Sequence, residues 1–172
     1  NVILIVTPFV PKSFTPITLG PSITWGKDSF ILIKFSSNKE IISCGQILAK
    51  NYENKFQYWN AIIQLVKMIG ADYVVIEDFL LYEESSKSQI NSRFETPKLI
   101  GILELYCNSN NIEYSLQRAV DVKKRWTDEI LVYNNYIQKQ NDRYFACGVL
   151  VSGHIRDAIR HGIHFVTFKL KE

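Results

Sequence analysis

Two groups of polar residues in this sequence could carry out chemistry together. In the first, His154, Asp157 and His161 are spaced at i, i+3 and i+7. On a helix these side chains share one face, where an imidazole and a carboxylate one turn apart can hold a divalent cation or position a water. The second is Glu77, which follows the apolar run 73–76. An ordinary surface helix could carry the same polar residues. The additional acidic residue Glu77 favours a functional site over that interpretation.

The elements around these residues would bring them together. The run 73–76 is apolar at every position, as in a central parallel strand, and the C-terminal ends of such strands carry the sites of open α/β sheets. The last helix begins at about Ser152, with Ser152 or Gly153 at its start. We therefore expect Glu77 to face His154 and Asp157 across a phosphate-sized gap.

The remaining periodicities predict an α/β fold with a central mixed five-stranded sheet flanked by helices. Residues 1–14 read as an N-terminal arm or an extra edge strand, and 15–172 as the domain. The other predicted elements are a hairpin (30–35 and 40–48), a helix over 54–69 ended by Gly70, a helix with Thr96 as N-cap and Pro97 at N1, a strand over 112–116, a helix starting at Thr127, and a polar connection over 134–142.

Composition excludes several classes of protein. The chain has 172 residues, 47% of them hydrophobic, and a net charge of +3, which is typical of a folded domain and compatible with nucleic acid. The three cysteines lack CxxC spacing, which predicts buried thiols in a reducing compartment such as the cytoplasm. The apolar run 2–6 is too short to span a bilayer.

Three segments in this order resemble RuvC-type Holliday junction resolvases of the RNase H-like superfamily, above all those encoded by phages. They are residues 75–79, 122–131 and 154–161, and the likeness extends from about residue 15 to the end of the sequence. The resemblance implies a metal-dependent endonuclease that cleaves four-way DNA junctions as a homodimer, in the host-cell cytoplasm if the chain is phage-encoded. It also implies that the helix over 97–107 forms the dimer interface.

The resemblance assigns roles to individual residues. Glu77, His154 and Asp157 would be catalytic and would bind Mg²⁺ or Mn²⁺ in a two-metal site. The DNA contacts would come from basic side chains whose binding is sensitive to salt. These are Lys98, Lys123, Lys124 and Arg125, with Arg93 as a further backbone contact.

One feature departs from the family pattern, which places a carboxylate at the end of the first strand. The matching stretch 19–26 has Gly20 at that position, and a second register places Thr7 there. No acidic residue precedes Asp28. The alternative is therefore a catalytically impaired RNase H-like protein that binds nucleic acid or serves as a structural subunit. A third possibility is a related nuclease that acts on RNA or on flaps.

Other polar and aromatic residues have simpler interpretations. His161 and His164 are expected to be helix residues without a role, and Trp126 to belong to the core. The basic cluster 123–125 could be a solvated face, and the apolar stripe of the 97–107 helix could be plain core.

Overall fold

The structure, a computed structural model, describes residues 2–9, 29–36, 40–78 and 95–169. Their strands are β1 (Val2–Phe9), β2 (Ser29–Ser36), β3 (Ile41–Leu48), β4 (Tyr73–Glu77), β5 (Glu113–Gln117), β6 (Gln138–Gln140), β7 (Arg143–Ala146) and β8 (Val149–Leu150). Their α-helices are α1 (Lys55–Ile69), α2 (Glu95–Ser109), α3 (Ala119–Lys123), α4 (Asp128–Tyr133) and α5 (Gly153–Phe168). None of these helices has the length and apolar character needed to cross a membrane.

The first five strands form one mixed sheet in the order β3-β2-β1-β4-β5. Strands β2 and β3 form the predicted antiparallel hairpin, and β1 pairs with β2 in the same sense. Strands β1, β4 and β5 are parallel to one another. The predicted mixed α/β character is confirmed, and the parallel strands end at the edge where Glu77 lies.

The position of β1 corrects an expectation from the sequence. Residues 2–9 form a strand, which was one of the two predicted alternatives, but this strand lies between β2 and β4, inside the sheet, and not at its edge. Pro8 favoured an edge, but it is one residue from the end of the strand, and the apolar run before it is typical of a strand with neighbours on both sides. The predicted domain boundary at residue 14 lies outside the described residues.

Each face of the sheet is covered by its own core. Helix α5 packs on β1, β2 and β4 and buries the first cluster, which includes Val75, Ala158 and Ile159. Helices α1 and α2 form the second cluster with Val74 and Ile76 of β4. Successive residues of β4 thus point to opposite faces, which places Glu77 on the same face as Val75, toward α5.

The boundaries of α1 follow from its end residues, as predicted. The Asn54 side chain accepts hydrogen bonds from the backbone N–H groups of Phe56 and Gln57. At the other end Gly70 adopts φ 60°, the left-handed conformation that glycine accepts without strain. These caps fix the entry into β4 and hence the position of Glu77.

Helix α2 differs from expectation in two respects. It begins at Glu95, so Thr96 lies inside the helix rather than at its N-cap. The apolar stripe predicted to form a dimer interface is largely core, since Leu99, Ile100, Leu103 and Cys107 are buried within this chain. Leu105 remains 67% exposed. The structure holds no partner chain, so dimerisation stays a prediction.

The predicted polar connection over 134–142 is wrong, because β6 falls within it. Strands β6, β7 and β8 form a separate three-stranded antiparallel sheet. Every residue of β6 is exposed, so its pairing with β7, rather than burial, holds it in place. The turn between β6 and β7 places Asn141 and Asp142 at positive φ, a conformation that favours hairpins. This sheet delivers the chain to the start of α5.

Substitution of Gly162 tests the close packing of α5 on the sheet. A Cβ at Gly162 would lie 2.1 Å from the ring of Phe35, which is fully buried and cannot move aside. We expect Gly162→Ala to lower the free energy of unfolding by about 2 kcal/mol through overpacking. Urea unfolding monitored by circular dichroism measures the change.

Gly101 on α2 provides the matched control. Among the described residues, apart from its chain neighbours and the backbone of its own helix, no atom lies within 4 Å of a Cβ placed there. Gly101→Ala should therefore stabilise the protein by about 0.5–1 kcal/mol through helix propensity alone. Equal effects of the two substitutions would contradict this account of the α5 contact.

Candidate active site

Glu77 ends β4 at the edge of the sheet and is the acidic centre of the candidate site. Its side chain is 20% exposed. Its neighbour in the parallel register is Gln117, the last residue of β5. Both strands end together, since the backbone N–H of Asp78 donates to the carbonyl of Gln117 at 2.8 Å. The two side chains therefore emerge side by side at one edge, next to α5.

Helix α5 supplies the other half of the site, as predicted. The Ser152 hydroxyl caps its start by accepting a hydrogen bond from the backbone N–H of Ile155 at 3.3 Å. His154, Asp157 and His161 follow at helical spacing. The Asp157 carboxylate raises the pKa of both Glu77 and His154, so it lies within electrostatic range of each. Their joint role in one catalytic site stays a prediction.

Two cationic side chains hold the Asp157 carboxylate. Lys123, at the end of α3, places its Nζ 2.9 Å from Asp157 Oδ2. Arg160, one turn further along α5, donates to Asp157 Oδ1. Lys123 also attracts Glu77, so one ammonium group balances two carboxylates that repel each other. Because the Lys123 side chain is 48% exposed, it can leave this position when another cation or a phosphate competes.

Arg160 also connects the site to the protein beneath it. Its guanidinium donates to Asp128 at the start of α4, and its Nε donates to the carbonyl of Trp126 at 2.6 Å. Arg156 contacts the same Asp128 carboxylate at 2.9 Å. The Thr127 hydroxyl caps α4 as predicted, which places Asp128 in its first turn. This ion-pair network fixes α4 against α5.

The His161 side chain lies in the core between Glu77 and Gln117. The side chain is fully buried, with Nδ1 3.0 Å from Gln117 Oε1 and Nε2 4.0 Å from Glu77 Oε1. Neither His161 Nε2 nor Gln117 Nε2 has a hydrogen-bond partner. His161 therefore lies beside Glu77 in the core, and its expected lack of a role stays a prediction. The i+7 spacing from His154 could have indicated that His161 lies on the same helix face. The contact with Gln117 could not be predicted, because Gln117 is 44 positions away in sequence.

The other predicted DNA contacts that the structure describes lie on the protein surface. Lys98 is exposed on α2, and Lys124 is exposed just after α3. The Arg125 guanidinium stacks on the ring of Phe168, 4.1 Å from its centroid. Trp126 packs against the core, as predicted. Arg93 lies outside the described residues.

Burial changes the proton affinity of the site residues. Desolvation raises the pKa of Glu77 to about 7, although Lys123 lowers it and Asp157 raises it further. Desolvation lowers the pKa of His161 to about 3, which keeps this imidazole neutral. The pKa of His154 is also lowered, mainly by burial and additionally by Lys123 and Arg156, against the effect of Asp157.

These shifts predict a pH dependence of stability that can be isolated in one variant. The folded protein holds a proton on Glu77 up to about pH 7, whereas the ordinary pKa is 4.5, so this residue's contribution to stability is lost as the pH rises from 4.5 to 7. Glu77→Gln removes that loss. The free energy of unfolding of the variant, minus that of the original protein, should increase by up to about 3 kcal/mol between pH 4.5 and pH 8.

Urea unfolding at a series of pH values measures the difference. The contribution of His161, which weakens the fold as the pH falls from 6.5 toward 3, is common to both proteins and cancels. A stability difference that stays constant from pH 4.5 to pH 8 would contradict the raised pKa of Glu77.

The sheet register indicates which residue of β1 lies where the resemblance predicts a carboxylate in the first strand. Strands β1 and β4 pair in parallel up to Val6 and Ile76. The next residues along the two strands are Thr7 and Glu77, so a threonine, two residues before the end of β1, follows the last β1–β4 pair. This favours the second register over the one that uses Gly20, which lies outside the described residues.

The donor set limits where a cation fits. Among the described residues, no group of three His, Cys, Asp or Glu side chains is close enough to hold a metal ion as they stand. Both Asp157 oxygens already contact cationic side chains. Glu77 and the unpartnered Nε2 of His161, by contrast, leave oxygen and nitrogen donors facing each other. As they stand, the described residues therefore do not form a complete cation site, and Asp157 could contribute an oxygen only after release from Lys123 or Arg160.

Comparison with known proteins identifies the fold. No protein-family profile and no curated protein sequence matches the chain. Among solved structures, it is similar to T. thermophilus RuvC in complex with a Holliday junction substrate, with a TM-score of 0.59 and 7% identity over 94% of this chain and 90% of that one. A second Thermus thermophilus RuvC structure gives a TM-score of 0.58 and 9% identity over 95% and 92%. This chain therefore has a RuvC-like fold.

Proposed function

We propose that this protein is a structure-specific endonuclease that resolves Holliday junctions or other branched DNA. The observation that carries the proposal is the position of Glu77, which ends a central parallel strand beside α5, 4.0 Å from His161 Nε2 and within electrostatic range of Asp157. In a RuvC-like fold this edge of the sheet is where a scissile phosphate would bind. The solved relative with a junction substrate supports branched DNA as the substrate.

We propose Mg²⁺ or Mn²⁺ as the cofactor, in a two-metal site. Glu77, Asp157 and His154 would hold the ions, whose charge activates water and stabilises the leaving oxygen. The raised pKa of Glu77 is consistent with this role, because a cation stabilises a carboxylate whose burial disfavours its charge. In the described structure Lys123 supplies positive charge at Asp157.

Lys123 has a second role once its ammonium is released from Asp157. Its exposed side chain can then bind a phosphate oxygen next to the bond that is cut. Lys98, Lys124 and Arg125 would bind the DNA backbone further out. Such contacts recognise the shape of the junction more than its sequence, and their affinity falls steeply as salt increases.

A homodimer would match the symmetry of the substrate. Resolution of a four-way junction requires two cuts at symmetry-related strands, and a two-fold dimer presents two equivalent sites. The exposed side of α2, marked by Leu105, is the surface we propose for the interface. The proposed phage-like origin and host-cytoplasmic location depend on the sequence resemblance.

The test is cleavage of a labelled four-way junction, with a linear duplex of the same sequence as control substrate. We expect cuts in the junction that require Mg²⁺ or Mn²⁺ and stop with a chelator, and little cutting of the duplex. Tight binding of the junction without cutting, at any concentration of either metal, would instead support the impaired nucleic-acid-binding alternative. Preferred cleavage of RNA hybrids or flaps would identify a different substrate.

A further inference from the structure

The small antiparallel sheet has one face toward the protein and one face away from it. Residues that oppose each other in an antiparallel pair lie on the same face, which puts Lys139 on the face of Tyr144. Ala146, two residues along β7, lies on that face too. Tyr144 packs against the first core cluster, and Ala146 belongs to it. The opposite face, called the outer face below, therefore points away from the core and carries Gln138, Gln140, Arg143, Phe145 and Leu150.

The outer face carries side chains that suit contact with the edges of DNA bases. Gln138, Gln140 and Arg143 are exposed, Leu150 is 54% exposed, and Phe145 is half-buried. An amide or a guanidinium can form paired hydrogen bonds with a base edge, and an apolar side chain can contact the methyl group of thymine. None of the five residues is acidic, so the outer face itself does not repel phosphate.

The turn end of the hairpin has a suitable shape and charge to enter a groove of duplex DNA. Strand β8 pairs with Phe145 and Ala146, at the other end of β7 from this turn. The part near the turn is a ribbon of β6 and β7, and such a ribbon fits the major groove of B-form DNA, which is about 12 Å wide. The turn residue Asp142 lies 3.3 Å from Lys139 Nζ, which offsets its negative charge and leaves Arg143 to attract phosphate.

Contacts with α5 hold the hairpin in place on the helix that carries Asp157. The backbone N–H of Val151 donates to the carbonyl of Tyr144 at 2.8 Å. The Arg156 guanidinium stacks on the Tyr144 ring, 4.3 Å from its centroid, and also contacts Asp128 at 2.9 Å. A duplex bound by the hairpin would therefore have a fixed position relative to α5.

We propose that the outer face of the β6–β7 hairpin enters the major groove of a duplex arm of the DNA substrate and contacts base edges there. A protein partner is the less favoured occupant, because protein interfaces place apolar residues at the centre and polar residues at the rim. Here the polar side chains lie at the turn end, and Phe145 and Leu150 lie at the other end. The inference rests on the proposed function for its substrate, but it concerns DNA binding, which is measured without metal or cleavage.

Binding of the full chain to a labelled four-way junction in the presence of a chelator tests the proposal. The variant Gln140→Ala/Arg143→Lys keeps the net charge but removes an amide and the fork of a guanidinium. We expect at least tenfold weaker binding with an unchanged dependence on salt. The control Gln64→Ala/Lys67→Arg changes exposed residues of α1, which covers the other face of the main sheet, and should bind as the original protein does.

Protection from dimethyl sulfate gives a second measurement, because this reagent methylates guanine N7, which lies in the major groove. We expect the original protein to protect guanines in the junction arms, and the hairpin variant at saturating concentration to lose part of that protection. Binding by the variant within twofold of the original, or equal protection by both proteins, would overturn the proposal. Unchanged DNA binding with an altered oligomeric state in sedimentation would also overturn it, and would assign the outer face to a second copy of this chain.

Cleavage with Mg²⁺ or Mn²⁺ distinguishes a failure of this inference from a failure of the proposed function. Junction binding that depends on the hairpin, without any cutting, would disprove the proposed function and leave the groove contact intact. Junction cutting by a protein whose DNA affinity does not depend on the hairpin would do the reverse.

Discussion

Glu77→Gln is expected to reduce junction cleavage by about a thousandfold or more, because it removes the charge that would hold the cation at the reacting phosphate. Glutamine has nearly the same volume as glutamate, and the carboxylate it replaces is mostly buried and disfavoured by desolvation. The variant should therefore fold at least as well at neutral pH. Its affinity for the junction in the absence of metal should be unchanged or higher, since a negative charge near phosphate is lost.

Single-turnover cleavage and a binding titration at fixed salt separate these two effects. Glu113→Gln is the matched control, because Glu113 is an exposed residue at the opposite end of the parallel strands. We expect the control to cleave at the original rate. Cleavage by Glu77→Gln within tenfold of the original rate would place the chemistry elsewhere in the protein.

A loss of activity combined with a gain in stability would be informative about how this site is built. The fold keeps a carboxylate in a desolvated position beside Asp157, where like charges repel. Such an arrangement weakens the folded protein and is retained where function requires it. A purely structural acid at the strand end would show the opposite result, with stability falling when it is replaced.

The parts of this site that the sequence predicted are those encoded by local patterns. The apolar run before Glu77 identified a central strand, and helical spacing placed His154 and Asp157 on one face of α5. Both patterns involve residues within a few positions of each other. Their meeting in space followed only from the general rule that parallel strands carry sites at their C-terminal ends.

The parts that the sequence did not predict depend on contacts between distant residues. His161 and Gln117 are 44 positions apart, and nothing local distinguishes a buried histidine beside a carboxylate from any other histidine of a helix. The strand β6 is polar throughout and is held by its partner strand, so hydrophobic periodicity could not reveal it. The internal position of β1 is likewise a property of the assembled sheet.

Arg160→Met is expected to lower the free energy of unfolding by about 3 kcal/mol, because it leaves two carboxylates with fewer cationic partners in a partly buried position. The Arg160 side chain is 11% exposed and contacts Asp128, Asp157 and the carbonyl of Trp126. Methionine fills a similar length without charge. Urea or thermal unfolding measures the loss, and Arg118→Met, at an exposed position, should change stability by less than about 0.5 kcal/mol.

A double-mutant cycle shows whether the loss arises from the network or from packing. Asp128 lies 32 positions from Arg160 and accepts from both Arg156 and Arg160. If the ion pairs carry the effect, Asp128→Asn should destabilise the Arg160→Met variant less than it destabilises the original protein, by about 1 kcal/mol or more. Additive losses would mean that Arg160 acts through the packing of its aliphatic part.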